Sequence, residues 1–407
     1  MSGDTLRSLV DALHAAQVRF LAELVRTSSD NPPGDCAPHA RSTAALLEEL
    51  GFAVEQYPVP AEEVQADGML TVTNLIVRRR FGPGPTVALN AHGDVVPPGE
   101  GWTTDPYGAE IRDGMLYGRG AAVSKSDIAT YAFALLALER SARPLRGQVE
   151  LHITYDEEAG GLLGPHWLLQ QRLTRPDYAI CAGFSYNIVV AHNGCLHLEV
   201  RVQGRSAHAA RPETGVDALE AAAELLNHLY TLRRTYGTVH SRIAGIDHPT
   251  LVVGLIKGGI NTNVVPDLVT LRLDRRIVPE EDPETVEREL QASIERIATR
   301  LPGVSISVRR ILLARPLTPI AGQEHLVRVI QHHAQAVLGE TIPANGVPIY
   351  TDARLYSAAG IPTVLYGAGP RTLLEANAHR ADERVSLEDL RKATQVIALS
   401  LADLLAA

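Results

Sequence analysis

The chain has little cysteine, no excess of positive charge and no long apolar run. Its 407 residues include only three cysteines, Cys36, Cys181 and Cys195, and none form the close pairs of zinc knuckles or redox motifs. We therefore expect these cysteines to be reduced and structural. The net charge of −9 argues against a nucleic-acid binder, because such proteins neutralise phosphates with clustered lysine and arginine. A small-molecule partner is expected instead.

The sequence also argues against a membrane protein. No stretch approaches the ~20 apolar residues of a membrane helix, and the N-terminus lacks the basic start and apolar core of a secretory signal. We expect a cytoplasmic protein with no membrane partner. A hydrophobic content of 45% and a charged content of 21% are typical of globular proteins. The length suits two or three domains of roughly 150 residues each, and we expect two.

Periodic patterns in the first half predict an α/β layer. Apolar residues at helical spacing over 5–26 predict an opening helix. Alternating segments at 69–78 and 86–91 flank a Gly-Pro-Gly-Pro turn and predict two strands. A helix at about 126–141 and a strand at 148–154 follow. Strand, helix and strand in this order predict a largely buried sheet flanked by helices.

From about residue 195 the pattern changes to βαββαβ, the order of a ferredoxin-like sandwich. After residue 314 the α/β pattern resumes. The simplest architecture is therefore an α/β domain of residues 1–194 and 314–407, interrupted by an inserted α+β domain of residues 195–313.

The predicted elements from 195 onward divide between these two domains. Those of the inserted domain are a first strand, a helix at 214–233, strands at 249–257 and 268–276, a helix at 282–300 and a strand at 304–313. Those of the α/β domain are a helix at 323–338, a strand at 362–366 and a helix from 387.

Three short motifs contain residues suited to metal chemistry. His92-Gly93-Asp94 ends a predicted strand, where a histidine can bind a metal while a carboxylate orients it, although such a pair also occurs in ordinary loops. Glu157 and Glu158 follow the strand 148–154, and paired glutamates suit one metal ligand and one proton shuttle. A solvated acidic turn is the alternative. Taken alone, His379 is explained better as a surface histidine than as a ligand.

Six ordered motifs together resemble one family. They are ALNAHGDVVPPGEGWTTDPYGAEIRDGMLYGRGA, YDEEAGG, GRSAHAARPETGVDA, NVVPD, LDRR and YGAGP…AHRADE. In this order and spacing they resemble the aminoacylase, carboxypeptidase G and succinyl-diaminopimelate desuccinylase family of metallo-amidohydrolases and peptidases. The resemblance spans essentially the whole chain. It implies a zinc-peptidase-like catalytic domain with two metal ions and a mixed sheet flanked by helices. It also implies an inserted lid domain through which a homodimer forms.

The resemblance also implies a role for each matching residue of the catalytic domain. His92 matches the histidine ligand of the first metal, and Asp94 matches its orienting neighbour. Glu157 matches the general base. Glu158 and His379 match ligands of the second metal. We expect these side chains to surround one point.

Three residues of the inserted domain match substrate-contacting positions of the family. His208 matches the residue that polarises the scissile carbonyl, and a loop histidine is its alternative. Asn263 and Arg276 match residues that hold the substrate. The planar guanidinium of Arg276 suits a substrate carboxylate, although a salt bridge with Asp274 explains it equally well.

Two positions depart from the family pattern. Val123 stands where an aspartate bridges both metals, and Gly183 stands where an acidic ligand of the first metal is usual. Neither side chain can coordinate a cation. Asp127 or Ser124 could supply a ligand if the loop shifts, but Asp127 is also explained as a helix cap. The remaining ligands predict a single zinc or similar ion per chain, bound by His92, Glu158 and His379.

The leading functional hypothesis is hydrolysis of an amide bond in a small N-acyl amino acid or dipeptide-like substrate that bears a carboxylate. Glu157 would be the base, and His208 would stabilise the oxyanion. Two alternatives stay open. One is metal-independent chemistry in the same pocket with Glu157 and His208 as acid and base, and the other is a non-catalytic small-molecule-binding protein.

Overall fold

The computed structural model describes residues 3–300, 302–372 and 374–407, and the chain divides into two compact units. Unit 1 comprises the chain up to Val190, Pro319–Asn345 and Thr351–Ala407. Unit 2 comprises Ala191–Thr318 and Gly346–Tyr350. The predicted limits after residues 194 and 313 lie within five residues of these divisions. The short return of Gly346–Tyr350 into unit 2 was not predicted.

Helices and strands alternate along most of the described chain. The helices are α1 (Gly3–Arg26), α2 (Ala37–Glu49), α3 (Ala61–Ala66), α4 (Lys125–Arg140), α5 (Pro165–Gln170), α6 (Ala218–Tyr236), α7 (Pro283–Ala298), α8 (Gln323–Leu338), α9 (Ala353–Ala358) and α10 (Leu387–Leu404). The strands are β1 (Val54–Pro58), β2 (Thr73–Arg80), β3 (Thr86–His92), β4 (Glu110–Arg112), β5 (Met115–Tyr117), β6 (Gln148–Thr154), β7 (Tyr178–Cys181), β8 (Ile188–His192), β9 (Gly194–Gln203), β10 (Ala207–His208), β11 (Thr250–Gly258), β12 (Val264–Val265), β13 (Leu268–Ile277), β14 (Ser305–Ala314), β15 (Ala344–Val347), β16 (Thr363–Leu365) and β17 (Arg384–Ser386).

The main sheet has eight strands in the order β1-β2-β6-β3-β7-β16-β8-β15. Strands β6, β3, β7 and β16 pair in parallel, whereas β1, β2 and β6 pair antiparallel. This confirms the predicted α/β fold with a mixed sheet. The strands on either side of the Gly-Pro-Gly-Pro turn, β2 and β3, are not neighbours, because β6 lies between them.

Helix α4 lies in the centre of the packing of unit 1. Every residue from Lys125 to Leu138 is buried, and α4 packs against α1, α10, β3 and β6. An alanine- and leucine-rich helix suits this position because beyond its first turn it is largely apolar on all sides. The predicted helix cap is wrong. Ser124 is the N-cap residue, and the Asp127 carboxylate instead accepts a hydrogen bond from the Ala368 N–H at 2.7 Å.

Unit 2 contains a four-stranded antiparallel sheet in the order β11-β13-β9-β14, with α6 and α7 packed against it. Alternate residues of β9 form part of its core, as the period of two along a strand requires. The predicted βαββαβ order is therefore present, with the strand order of a ferredoxin-like sandwich. Within the described parts of the chain, no helix is long and apolar enough to cross a membrane.

Lys125, the first residue of α4, is fully buried. Its ammonium group donates a hydrogen bond to the Thr27 carbonyl at 3.0 Å. Burial lowers the pKa of Lys125 to about 7, although the nearby carboxylates of Asp30 and Glu383 oppose the shift. An unfolded chain holds this proton up to a pKa of ~10.4. Between these values the unfolded state therefore binds one proton more than the native state, and stability increases as the pH rises.

We predict that this pH dependence is lost in Lys125→Met. From about pH 7.5 to 10, the free energy of unfolding of the wild type should rise relative to Lys125→Met by about 1.4 kcal/mol per pH unit. Chemical denaturation at several pH values measures the free energy of unfolding of the wild type and of Lys125→Met. Lys257→Met removes an exposed lysine and should keep the wild-type slope. Equal slopes for Lys125→Met and the wild type would contradict the buried, neutral state of Lys125.

Candidate active site

The first part of the site forms where two parallel strands end at the same edge. Strands β3 and β6 are neighbours, and His92 lies opposite Thr154 in their register. A single turn of 3-10 helix, Glu157–Ala159, follows β6 directly. The two glutamates therefore lie beside His92, with 3.9 Å between His92 Nε2 and Glu157 Oε2.

The His92 ring is held so that Nε2 faces the glutamates. Its Nδ1 lies 2.9 Å from the Asp94 carbonyl oxygen and 3.4 Å from the Asp94 carboxylate. When Nδ1 carries the proton, it donates a hydrogen bond to that carbonyl, and Nε2 keeps its lone pair. Nε2 is therefore the atom that would bind a metal. The predicted orienting role of Asp94 is thus consistent with the geometry.

Asp94 also fixes the backbone that bears the two glutamates. Its carboxylate is completely buried and accepts hydrogen bonds from the N–H groups of Glu157 and Glu158, at 3.3 and 3.2 Å. The Asn31 side-chain amide donates a third, at 3.0 Å. One carboxylate therefore sets the positions of His92, Glu157 and Glu158 together.

His379 reaches the same group of side chains through Glu158. Among the described residues, the ligand-type atoms of His92, Glu157 and Glu158 lie within 4.8 Å of one another. His379 is outside that set, but its Nε2 lies 3.4 Å from Glu158 Oε1. Its side chain is half exposed, so it borders the site on the solvent side. We call His92, Glu157, Glu158 and His379 the edge cluster.

Negative charge is concentrated around the edge cluster. Asp94, Asp156 and Asp352 are buried beside the two glutamates. Burial raises the pKa of Asp352 to about 6, and burial together with the charges of Asp352 and Asp94 raises the pKa of Asp156 well above its usual range. A bound cation would relieve this repulsion.

The pKa values of His92, Glu157 and His379 are raised in this environment. Burial disfavours the charged form of His92, but the carboxylates of Glu157 and Asp94 outweigh it and raise the pKa of His92 well above its ordinary value. Burial, with the charge of Glu158 adding to it, also raises the pKa of Glu157. The hydrogen bond to Glu158 raises the pKa of His379.

Several supporting residues were not assigned from the sequence. Glu383 accepts hydrogen bonds from the N–H groups of Ala122 and Val123, at 3.0 and 3.1 Å, and pairs with the buried Arg119 at 2.5 Å. It therefore fixes the loop on which Val123 lies. Asp156 and Glu383 lie within the quoted motifs, but their spacing alone assigns them no role. Asp352 lies outside every quoted motif.

The two departures from the family pattern have different structural settings. The Val123 backbone N–H donates to Glu383, and the Val123 side chain has no atom that could bind a metal. At Gly183 a Cβ atom would lie 2.8 Å from both Tyr366 N and Leu365 Cβ, closer than real contacts allow. An acidic side chain at position 183 would therefore require the neighbouring strand to move.

Neither suggested substitute ligand is directed to the edge cluster. The Ser124 hydroxyl bonds the backbone N–H and carbonyl of His92, each at 3.0 Å. The Asp127 carboxylate is buried against Gly367 and Ala368, and burial raises its pKa to about 7. Both side chains thus hold backbone segments in place.

The three predicted substrate residues lie in unit 2. His208 and Asn263 are close together, because β10 pairs with β12 and the Ala209 N–H donates to the Asn263 carbonyl at 3.0 Å. Arg276 donates through Nε to Asp274 at 2.9 Å and through Nη2 at 3.1 Å. The salt bridge considered as the alternative for Arg276 is therefore present, and a substrate role for all three residues stays a prediction.

Sequence comparison finds close similarity to amino-acid deacylases. The chain is 31% identical over 364 residues to acetylornithine deacetylase of Pectobacterium carotovorum subsp. carotovorum, covering 87% of each chain. It is 30% identical over 362 residues to succinyl-diaminopimelate desuccinylase of Sphingopyxis alaskensis, covering 86% of this chain and 89% of the relative.

Solved structures share the fold at lower identity. A dipeptidase of Saccharomyces cerevisiae matches with a TM-score of 0.79 and 14% identity over 98% of both chains. A Bacillus subtilis protein described as a dinuclear metal binding peptidase matches with a TM-score of 0.65 and 17% identity over 97% of this chain and 99% of that one.

The sequence profile of one enzyme family accounts for most of the chain. It matches residues 88–403, which include the edge cluster, its supporting carboxylates and the whole of β9–β14. This confirms the resemblance on which the roles of His92, Glu157, Glu158 and His379 were predicted. The chain belongs to peptidase family M20/M25/M40 and is an enzyme of the metallopeptidase and amidohydrolase type.

Proposed function

We propose that the protein hydrolyses the amide bond of a small N-acyl amino acid or dipeptide-like substrate, using one zinc or similar divalent ion held by His92, Glu158 and His379. The observation that supports this most directly is the convergence of His92 Nε2 and the two glutamate carboxylates within 4.8 Å. Family membership supports amide hydrolysis, and the named deacetylase and desuccinylase relatives support an N-acyl amino acid as the substrate class.

The edge cluster fits one divalent ion better than two. Two histidines and one carboxylate form a ligand set known from mononuclear zinc hydrolases. The carboxyl groups of Asp94, Asp156 and Asp352 are buried around the cluster, and a bound cation would stabilise their ionised forms. A second ion would need further ligands, and Val123 and Gly183 provide none.

Glu157 is the proposed general base. A divalent ion at this site, when bound, polarises the carbonyl and lowers the pKa of water. The Glu157 carboxylate accepts a proton from the attacking water and returns it to the departing amine.

The proposed substrate contacts lie in unit 2. His208 would donate to the developing oxyanion, while Asn263 and Arg276 would orient the substrate. Arg276 has more donors than the two that Asp274 uses, so its guanidinium can hold a substrate carboxylate at the same time. We therefore propose a substrate with a free carboxylate.

We predict that Glu157→Gln lowers kcat by at least about 100-fold, because general-base catalysis contributes about that much or more. Gln keeps the size of the side chain, so substrate Kd from calorimetry and bound metal should stay near wild-type values. Glu63→Gln, on the exposed face of α3, is the matched control and should keep full activity. Turnover of Glu157→Gln near the wild-type rate would remove Glu157 from the mechanism.

A panel of N-acyl amino acids, assayed with and without added zinc, cobalt or manganese, separates this function from its alternatives. The proposal expects turnover that a chelator abolishes and added metal restores. Turnover that survives metal removal would instead indicate metal-independent chemistry by Glu157 and His208. Thermal stabilisation by a compound without turnover would indicate a binding protein.

We also propose a homodimer formed through unit 2. Strand β11 is an edge of the four-stranded sheet, and the exposed apolar residues on and just after it include Leu255, Ile256 and Ile260. Such a row of side chains at an unpaired sheet edge suits pairing with a second copy. The cytoplasmic location expected from the sequence stays a prediction.

The dimer proposal predicts that Ile256→Asp converts the protein to monomers at micromolar concentration. Light scattering coupled to size-exclusion chromatography measures the mass. Ile311→Asp places the same charge on the opposite edge strand β14 and should leave the dimer intact. A monomeric wild type, or a dimer that tolerates Ile256→Asp, would refute the proposed interface.

A further inference from the structure

Unit 2 contains a second group of metal-ligating side chains, distinct in its residues from the edge cluster. Cys195 Sγ lies 3.1 Å from His197 Nε2, and that nitrogen lies 3.0 Å from Asp274 Oδ2. All three atoms lie within 4.8 Å of one another. The group combines a thiol, an imidazole and a carboxylate.

The sheet fixes these three residues at one place. His197 lies opposite Asp274 in the antiparallel register of β9 and β13. Cys195 is two residues before His197, so its side chain leaves the same face of the strand. Strands β9 and β13 are the two inner strands of the four-stranded sheet, each paired on both sides. The spacing of the ligands is therefore set by the backbone.

His197 Nε2 lies between the other two ligand candidates, 3.1 Å from Cys195 Sγ and 3.0 Å from Asp274 Oδ2. Nε2 bears either one proton, which it can donate, or one lone pair, which it can offer. A divalent cation would bind the sulfur, the nitrogen and the oxygen together.

The electrostatics of the group favour an ionised carboxylate ligand. The Arg276 guanidinium forms an ion pair with the Asp274 carboxylate, which favours the ionised form of that carboxylate. Arg276 Nε donates to Oδ1 at 2.9 Å, which orients the carboxylate as an outer partner of a metal ligand does. Oδ2 is the oxygen that faces His197.

The group is open on one side. Cys195 is completely buried, whereas the side chains of His197 and Asp274 are 32% and 28% exposed. An ion can therefore enter from solvent and keep a water as its fourth ligand. Zinc accepts this tetrahedral combination, and the sulfur ligand disfavours magnesium and calcium.

We propose that Cys195, His197 and Asp274 bind one zinc-class divalent ion in unit 2. Binding forms bonds from the metal to sulfur, nitrogen and oxygen, and it releases the thiol proton to solvent without any redox change. The edge cluster includes no cysteine, so sulfur coordination distinguishes the two sites.

Titration of the metal-free, full-length protein with Co²⁺ tests this site. Thiolate coordination gives an absorption band in the near ultraviolet that histidine and carboxylate ligands do not give. The band should saturate at one equivalent for this site. It should disappear in Cys195→Ser and persist in Cys36→Ser and Cys181→Ser, which alter the other two buried cysteines.

A second variant is needed because Cys195 is buried and Cys195→Ser could fail to fold. His197→Ala changes a partly exposed residue and should weaken Co²⁺ affinity at this site by about 10-fold or more while the circular dichroism stays that of the wild type. Absence of the band from the wild type, its persistence in Cys195→Ser, or unchanged affinity in His197→Ala would overturn the proposal. Activity of the edge cluster does not enter these readouts.

Discussion

The buried carboxylate of Asp94 is the interaction on which the candidate active site depends. It accepts hydrogen bonds from the backbone of Glu157 and Glu158 and from Asn31, and it stands beside Nδ1 of His92. These contacts connect the ends of β3 and β6, two parallel strands whose carboxyl ends meet at one sheet edge. Without this carboxylate, the base candidate and two ligand candidates would lose their common support.

Other contacts hold the two positions that depart from the family pattern. The loop with Val123 stays in place because Glu383 accepts its backbone N–H groups, which does not require an acid at position 123. Close packing against Leu365 and Tyr366 suits glycine at position 183. Neither position provides a side chain that could coordinate a metal, which is why a single ion is proposed.

Much of the fold could be predicted from the sequence because its signals are local. Helical spacing predicted α1, α4, α8 and α10, and period-two alternation predicted β3, β6 and the strands of unit 2. Neighbour relations could not be predicted in this way. The insertion of β6 between β2 and β3 depends on burial of the whole sheet, and no local pattern specifies it.

The candidate site was predictable where a side chain lies in a motif and not where it depends on packing. His92, Glu157, Glu158 and His379 were predicted to meet. The first three converge directly, and His379 joins through Glu158. The helix cap at Asp127 was wrong, because that carboxylate binds the backbone of a segment about 240 residues away in sequence. The proposed roles of Asp352 and Cys195 depend on neighbours that are distant in sequence and that only the tertiary structure brings close.

Anomalous X-ray scattering at the zinc edge, from crystals grown with zinc, tests the central claim most directly. The account predicts a single peak in unit 1, within bonding distance of His92, Glu158 and His379. Two adjacent peaks there would contradict the single-ion site. An empty edge cluster at saturating zinc would contradict metal binding by these residues altogether.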